Sequence, residues 1–168
     1  MGNPLKWILF LLLFLQAADC SAQDRSPTPD SLPRPVDYVN DYEHLFSREE
    51  QEKLDTLIHE FDQQMNIQIA IVTIQPDMTI TERFDNYIHR ILLAWGVGQS
   101  AGHRGIVIGI SKGFRKIRIQ KDAGIEKILS NTETKAIIDT AFLPYFRKDD
   151  YFGGTLNGLR TLIGRLHS

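Results

Sequence analysis

Leu54, Leu57, Ile58 and Phe61 recur at helical spacing while Glu49, Glu52, Lys53, Asp55 and Glu60 fill the remaining positions, which predicts an amphipathic helix lying on a core. Its start is marked by Ser47-Arg48-Glu49-Glu50, a capping box in which the Ser47 hydroxyl caps and Glu50 reaches back. Ahead of it, Val36-Asp37-Tyr38-Val39-Asn40-Asp41 enters a sheet edge or lies across it. Residues 67–74 are β-branched and almost continuously apolar, as in a central strand covered on both faces. A second helix follows, with Ile80, Phe84, Tyr87, Ile88, Ile91 and Leu92 as its buried stripe and Trp95-Gly96-Val97-Gly98 as its end. After a glycine-rich loop, residues 105–111 and 116–120 read as a β-hairpin turning at Lys112-Gly113-Phe114-Arg115. The second of these strands alternates apolar and polar residues, so it belongs nearer the sheet edge. Helical stretches at about 131–142 and 150–166 complete the pattern. The expected fold class is α/β, a small mixed sheet sandwiched between helices.

The N-terminus carries a different pattern. After Lys6, Trp7 to Leu15 form an unbroken apolar run, too short for the roughly 20 residues of a membrane-spanning helix and suited to a signal-peptide core. Two exits are open. Cleavage after Ala22 leaves a chain beginning at Gln23; lipidation of Cys20, the only cysteine, leaves an anchored one. Asp19 immediately before the cysteine departs from the lipoprotein pattern and favours simple secretion. Residues 23–35 contain Pro27, Pro29, Pro33 and Pro35 and read as an extended tether. The domain expectation is therefore a leader at 1–22, a linker at 23–35 and one domain at 36–168, with no transmembrane segment in the mature chain.

Composition narrows the function. The balance of 42% hydrophobic to 24% charged residues is that of a globular protein, and the net charge of −2 offers no basic surplus for nucleic acid. His44, His59, His89 and His167 show no zinc-type spacing. No Gly-x-Ser-x-Gly elbow and no phosphate loop occur, and Gly96-Val97-Gly98 lacks the rest of a dinucleotide fingerprint, so no nucleotide cofactor is expected. His103-Arg104 between Gly102 and Gly105 can serve as a phosphate clamp, although such a dipeptide in a glycine loop is more commonly just solvated. Phe142, Tyr145, Phe146, Tyr151 and Phe152 read as core between the last two helices rather than as a docking surface.

Several stretches resemble the TPM domain family in order and spacing: Val39-Asn40-Asp41-Tyr42, Gln68-Ile69-Ala70-Ile71-Val72-Thr73, Trp95-Gly96-Val97-Gly98, Gly105-Ile106-Val107-Ile108, Gly124-Ile125-Glu126 and Pro144-Tyr145-Phe146-Arg147. The resemblance spans about residues 38–166. It implies a Rossmann-like α/β/α sandwich, an exported or lumenal location, divalent-cation binding in some members, and the acid phosphatase activity of a plant thylakoid member. Many members carry a C-terminal transmembrane span that this sequence, ending at Ser168, does not show, which fits a periplasmic or secreted form.

The departures bear on chemistry. Where the family has Asp-Asn-Gly, this chain has His103-Arg104-Gly105, and the acidic position after the Gly-Ile-Glu is Asn131. Calcium or magnesium wants several oxygen ligands, and of the implied metal positions Asp41, Glu126 and Asn131 only the first two keep a carboxylate. The expectation is weak cation binding or none. Arg104 is the candidate anion ligand. Asp41, Glu126 and Asn131 also have a plain reading in turn and cap chemistry, with Asn131 as a helix N-cap. Two functions follow: an envelope interaction module with a degenerate cation site and a partner protein, or a weak metal-dependent phosphatase.

Overall fold

The computed structural model describes residues 31–100 and 102–167. The leader, Cys20 and residues 23–30 of the linker lie outside them. The elements run β1 (Val39–Asp41), α1 (Arg48–Met65), β2 (Ile67–Thr73), a 3-10 turn (Thr81–Arg83), α2 (Phe84–Ala94), β3 (Arg104–Ser111), β4 (Lys116–Lys121), α3 (Ala123–Glu126), α4 (Asn131–Ile137), a π-helical turn (Ile138–Phe142), α5 (Leu143–Phe146) and α6 (Tyr151–Leu166).

The sheet order is β1-β2-β3-β4, parallel as far as β3 and antiparallel in the β3–β4 hairpin. Side chains alternate across a strand, and the alternation divides the core in two. Ile67, Ile69, Ile71, Ile106, Ile108 and Ile110 face α1 and the C-terminal helices. Ala70, Val72, Ile74 and Val107 face α2. This is the expected mixed sheet between helical layers, with β4 at its edge.

Local signals place the elements. Ser47 caps α1 with the full capping box to Glu50. Residues 31–35, read from sequence as part of the tether, lie against the α2 side: the Tyr87 hydroxyl donates to Ser31 O at 2.7 Å and the Trp95 indole to Pro33 O at 2.8 Å. Leu32 packs on the same cluster.

Local expectations are corrected at Ile80 and Asn131. Ile80 is 47% exposed because the chain makes a 3-10 turn before α2 begins at Phe84. Asn131 is the first residue inside α4, and the cap is Ser130, whose hydroxyl accepts from Glu133 N. The Ser130 hydroxyl and amide, with the Arg165 guanidinium, hold the Glu133 carboxyl down to about 2. The stretch at 131–142 widens into a π-helical turn ahead of Pro144, which has no N–H to continue an α ladder; Asn157 Nδ2 donates to the Ala141 carbonyl there at 3.0 Å. Of the aromatic set, Phe142 is fully buried and Phe146 and Tyr151 stack at 4.7 Å, while Tyr145 is exposed.

Candidate functional site

The sequence-derived residues divide between the two ends of the sheet. Asp41 closes β1 beside Thr73, whereas Arg104 opens β3 beside Ile67. Six residue steps along β2 separate these partners, about 20 Å at 3.3 Å per step. Asp41 therefore shares no site with Arg104 or Glu126.

Asp41 is spent on its own loop. Its Oδ1 accepts from Leu45 N at 3.0 Å and from the Thr73 hydroxyl at 2.7 Å, and its Oδ2 accepts from Phe46 N at 2.9 Å. These bonds fasten the β1–α1 connection to the end of β2.

At the other end, the β4–α3 turn sits under the start of β3. Asp122 caps α3 through Ile125 N at 2.8 Å and takes Gly105 N at 2.5 Å. The Arg104 stem lies along Gly124, where an added Cβ would come within 2.9 Å of Arg104 Cγ. His103 turns toward Asp62, with Nε2 3.8 Å from Oδ1, and Tyr38 OH donates to Asp62 Oδ2 at 3.2 Å. Asp62 Oδ1 and His103 Nδ1 are buried with no hydrogen-bond partner. Nearby, burial pushes the Asp55 carboxyl up to about 6, with Asp37 adding to the rise and the Val39 N–H opposing it.

Glu126 and Asn131 line one groove, and a lysine lies between the strands and helix there, bonded to Asn131 and within the field of Glu126. Lys121 is only 5% exposed, and its ammonium donates to Leu129 O at 2.7 Å, Thr134 Oγ1 at 3.0 Å and Asn131 Oδ1 at 3.1 Å. Burial lowers the Lys121 pKa, and the Glu126 charge works the other way. A protein cation thus fills a set of oxygens beside the carboxylate that the family resemblance assigns to a metal. Sequence reading missed Lys121, although its parity shows it: Ile117, Ile119 and Lys121 stand on one face of β4, and that face is the buried one.

Among the described residues no group of three or more His, Cys, Asp or Glu side chains is arranged to hold a metal ion. His59 lies beside the Tyr38 ring and His167 lies edge-on to Phe61. No helix among the described residues is long and apolar enough to cross a membrane.

A larger concavity lies elsewhere, between the hairpin turn and the α5–α6 loop. It encloses about 680 Å³ against Lys112, Arg115, Phe146, Arg147 and Tyr151. A second groove of about 360 Å³ follows β4 beneath α4, and Ile117 lines both.

The fold is the α/β/α sandwich of two solved structures. One is the N-terminal domain of a protein from P. gingivalis, with a TM-score of 0.66 and 21% identity, covering 77% of this chain and 81% of that one. The other is the N-terminal domain of a protein from Corynebacterium glutamicum, with a TM-score of 0.57 and 14% identity, covering 80% and 82%. No curated protein matches the chain. The family model of the TPM domain matches residues 39–165, and the chain belongs to that family.

Proposed function

We propose that this chain is an exported envelope protein whose TPM domain acts as an interaction module, with the family's cation site degenerate. The observation that carries the reading is the Lys121 ammonium, seated among Leu129 O, Asn131 Oδ1 and Thr134 Oγ1 beside Glu126. A divalent cation there would have to displace a buried positive charge or sit against it. The other implied ligand, Asp41, is engaged by three donors at the far end of the sheet. The residues present do not fit calcium or magnesium, and phosphoryl transfer without positioned charge has little to stabilise its transition state. Export is supported by the apolar run after Lys6 and the small residues around Ala22.

The alternative reading, a weak metal-dependent phosphatase, is tested by hydrolysis of p-nitrophenyl phosphate at mildly acidic and neutral pH. The expected rate equals that of buffer, with or without millimolar calcium or magnesium. A metal-dependent rate that disappears in Glu126→Gln overturns the accessory reading.

A further inference from the structure

The hydrogen-bond parity of the hairpin decides which way the backbone of β4 faces. Asp122 N donates to Gly105 O at 3.0 Å, and such bonds recur on every second pair of an antiparallel ladder. In the observed register the next bonded pairs are Val107 with Gln120, Gly109 with Arg118 and Ser111 with Lys116. The other side of β3 agrees, since Arg104 N donates to Asn66 O and Ile74 N to Ile110 O. Ile117, Ile119 and Lys121 therefore turn their N–H and C=O groups out of the sheet, and no strand among the described residues pairs with them.

These outward groups lie in the groove beneath α4, whose far wall is formed by Thr134, Lys135 and Ile138. At Ile117 the groove opens into the larger concavity at the hairpin turn. That end is held from two sides. Glu43 accepts from Lys112 N at 2.7 Å and Gly113 N at 2.8 Å, and Asp149 pairs with the Lys112 ammonium at 2.8 Å. The ammonium also stands 5.3 Å from the centre of the Tyr151 ring. The groove is thus preformed rather than assembled on contact.

Its charge is opposite to that of the chain. Seven lysines and arginines line the two cavities against three carboxylates, in a protein of net charge −2. Lys112, Arg118 and Lys135 have acidic neighbours in Asp149, Asp85 and Asp139, whereas Arg115 and Arg147 pair with no carboxylate among the described residues. Basic side chains on an edge strand usually guard against indiscriminate pairing. Here the guard is selective, because it repels basic strands and admits acidic ones.

We propose that β4 and the cationic hollow at its hairpin end form a docking groove for an extended, acidic peptide segment of a partner protein. The segment joins the sheet as a fifth strand at Ile117, Ile119 and Lys121, and its acidic group meets Arg115 and Arg147. The inference rests on the interaction-module reading and names the chemistry of its partner.

The test is selection of displayed random nonapeptides on the immobilised purified protein, with the enriched peptides resynthesised for titration. Enriched sequences are expected to carry an acidic residue next to alternating apolar residues, and to shift the amide resonances of Ile117, Ile119 and Lys121. Affinity should fall at least tenfold in Arg115→Glu/Arg147→Glu, and should be lost when alternate peptide nitrogens are methylated. Ile117→Pro removes one outward donor without touching the β3 ladder, so it should keep the far-ultraviolet dichroism of the parent and lose the peptide. Four outcomes overturn the proposal: no enrichment, enrichment without acidic residues, unchanged binding by the double variant, or a concentration-dependent dimer that Ile117→Pro dissolves. The two readings fail separately. A protein that hydrolyses phosphomonoesters yet selects these peptides refutes the accessory reading alone, and a catalytically silent protein that selects none refutes the groove alone.

Discussion

Gly105→Ala is expected to lower the melting temperature by about 15 °C. A Cβ at residue 105 would lie 2.2 Å from Val97 O, 2.6 Å from Val97 C and 3.0 Å from Gly98 N. All three are backbone atoms, so no rotamer change relieves the overlap. The reciprocal approach is as close, since a Cβ on Gly98 would lie 2.2 Å from Gly105 N, and Gly98 also holds φ at +77°. The Trp95-Gly96-Val97-Gly98 turn must therefore lift off β3. Lifting it breaks the bond from Gly98 N to Gln68 Oε1 at 2.9 Å and strains that from Gly105 N to Asp122. Overpacking costs about 1 to 3 kcal/mol, and each lost hydrogen bond adds about 1 kcal/mol. The sum, about 4 kcal/mol, is a large part of a typical domain stability of about 5 to 15 kcal/mol and corresponds to the temperature shift stated. Gly102→Ala is the control. Its φ is +81° but nothing lies within 4 Å, so only the backbone penalty of about 1 kcal/mol applies. Thermal unfolding followed by circular dichroism separates the two; a Gly105→Ala protein melting within about 3 °C of the parent contradicts the close packing of this turn.

Lys121→Met is expected to cost about 2 to 4 kcal/mol. Methionine nearly preserves the volume but withdraws the donor from Leu129 O, Asn131 Oδ1 and Thr134 Oγ1. A buried acceptor left without its charged donor costs about 1 to 3 kcal/mol; Leu129 O and Thr134 Oγ1 are so affected, whereas Asn131 is exposed and its Oδ1 turns to water. Relief of the lysine's own desolvation offsets part of the loss. The Thr134 hydroxyl keeps its bond to Ser130 O, so the Leu129 carbonyl bears most of the damage. Denaturant titration should show a lower midpoint with an unchanged slope. A variant as stable as the parent would mean that desolvation dominates and that Lys121 is not what holds the β4–α4 corner together.

The elements legible in the sequence are those set by local chemistry. The Ser47 capping box, the alternating β4 and the continuously apolar β2 each depend on neighbours a few residues away, and each appears where expected. Ile80 was misplaced because helical spacing alone cannot show a 3-10 turn preceding the α-helix proper. Asn131 lost the cap to Ser130 for a similar reason: both residues are good caps, and the choice went to the one with Glu133 at the third helical position. The site was less legible. Family resemblance located Asp41, Arg104, Glu126 and Asn131 along the chain, but whether they meet depends on strand direction and register. Because β4 runs back along β3, Glu126 comes to the end where β3 starts and Asp41 is left at the end where β1 stops. Lys121 was hidden in the opposite way. Its charge suggests the surface, and only its parity with Ile117 and Ile119 reveals the buried face.

The central claim is that the charged groups at the ends of this sheet serve the fold rather than a divalent ion. Calorimetric titration of calcium and magnesium into the purified protein, beside Asp41→Asn and Glu126→Gln, tests it most directly. The account predicts no saturable heat up to millimolar metal in any of the three proteins. Saturable binding by the parent that is lost in both variants would contradict it, because two carboxylates at opposite ends of β2 cannot serve one ion in this fold.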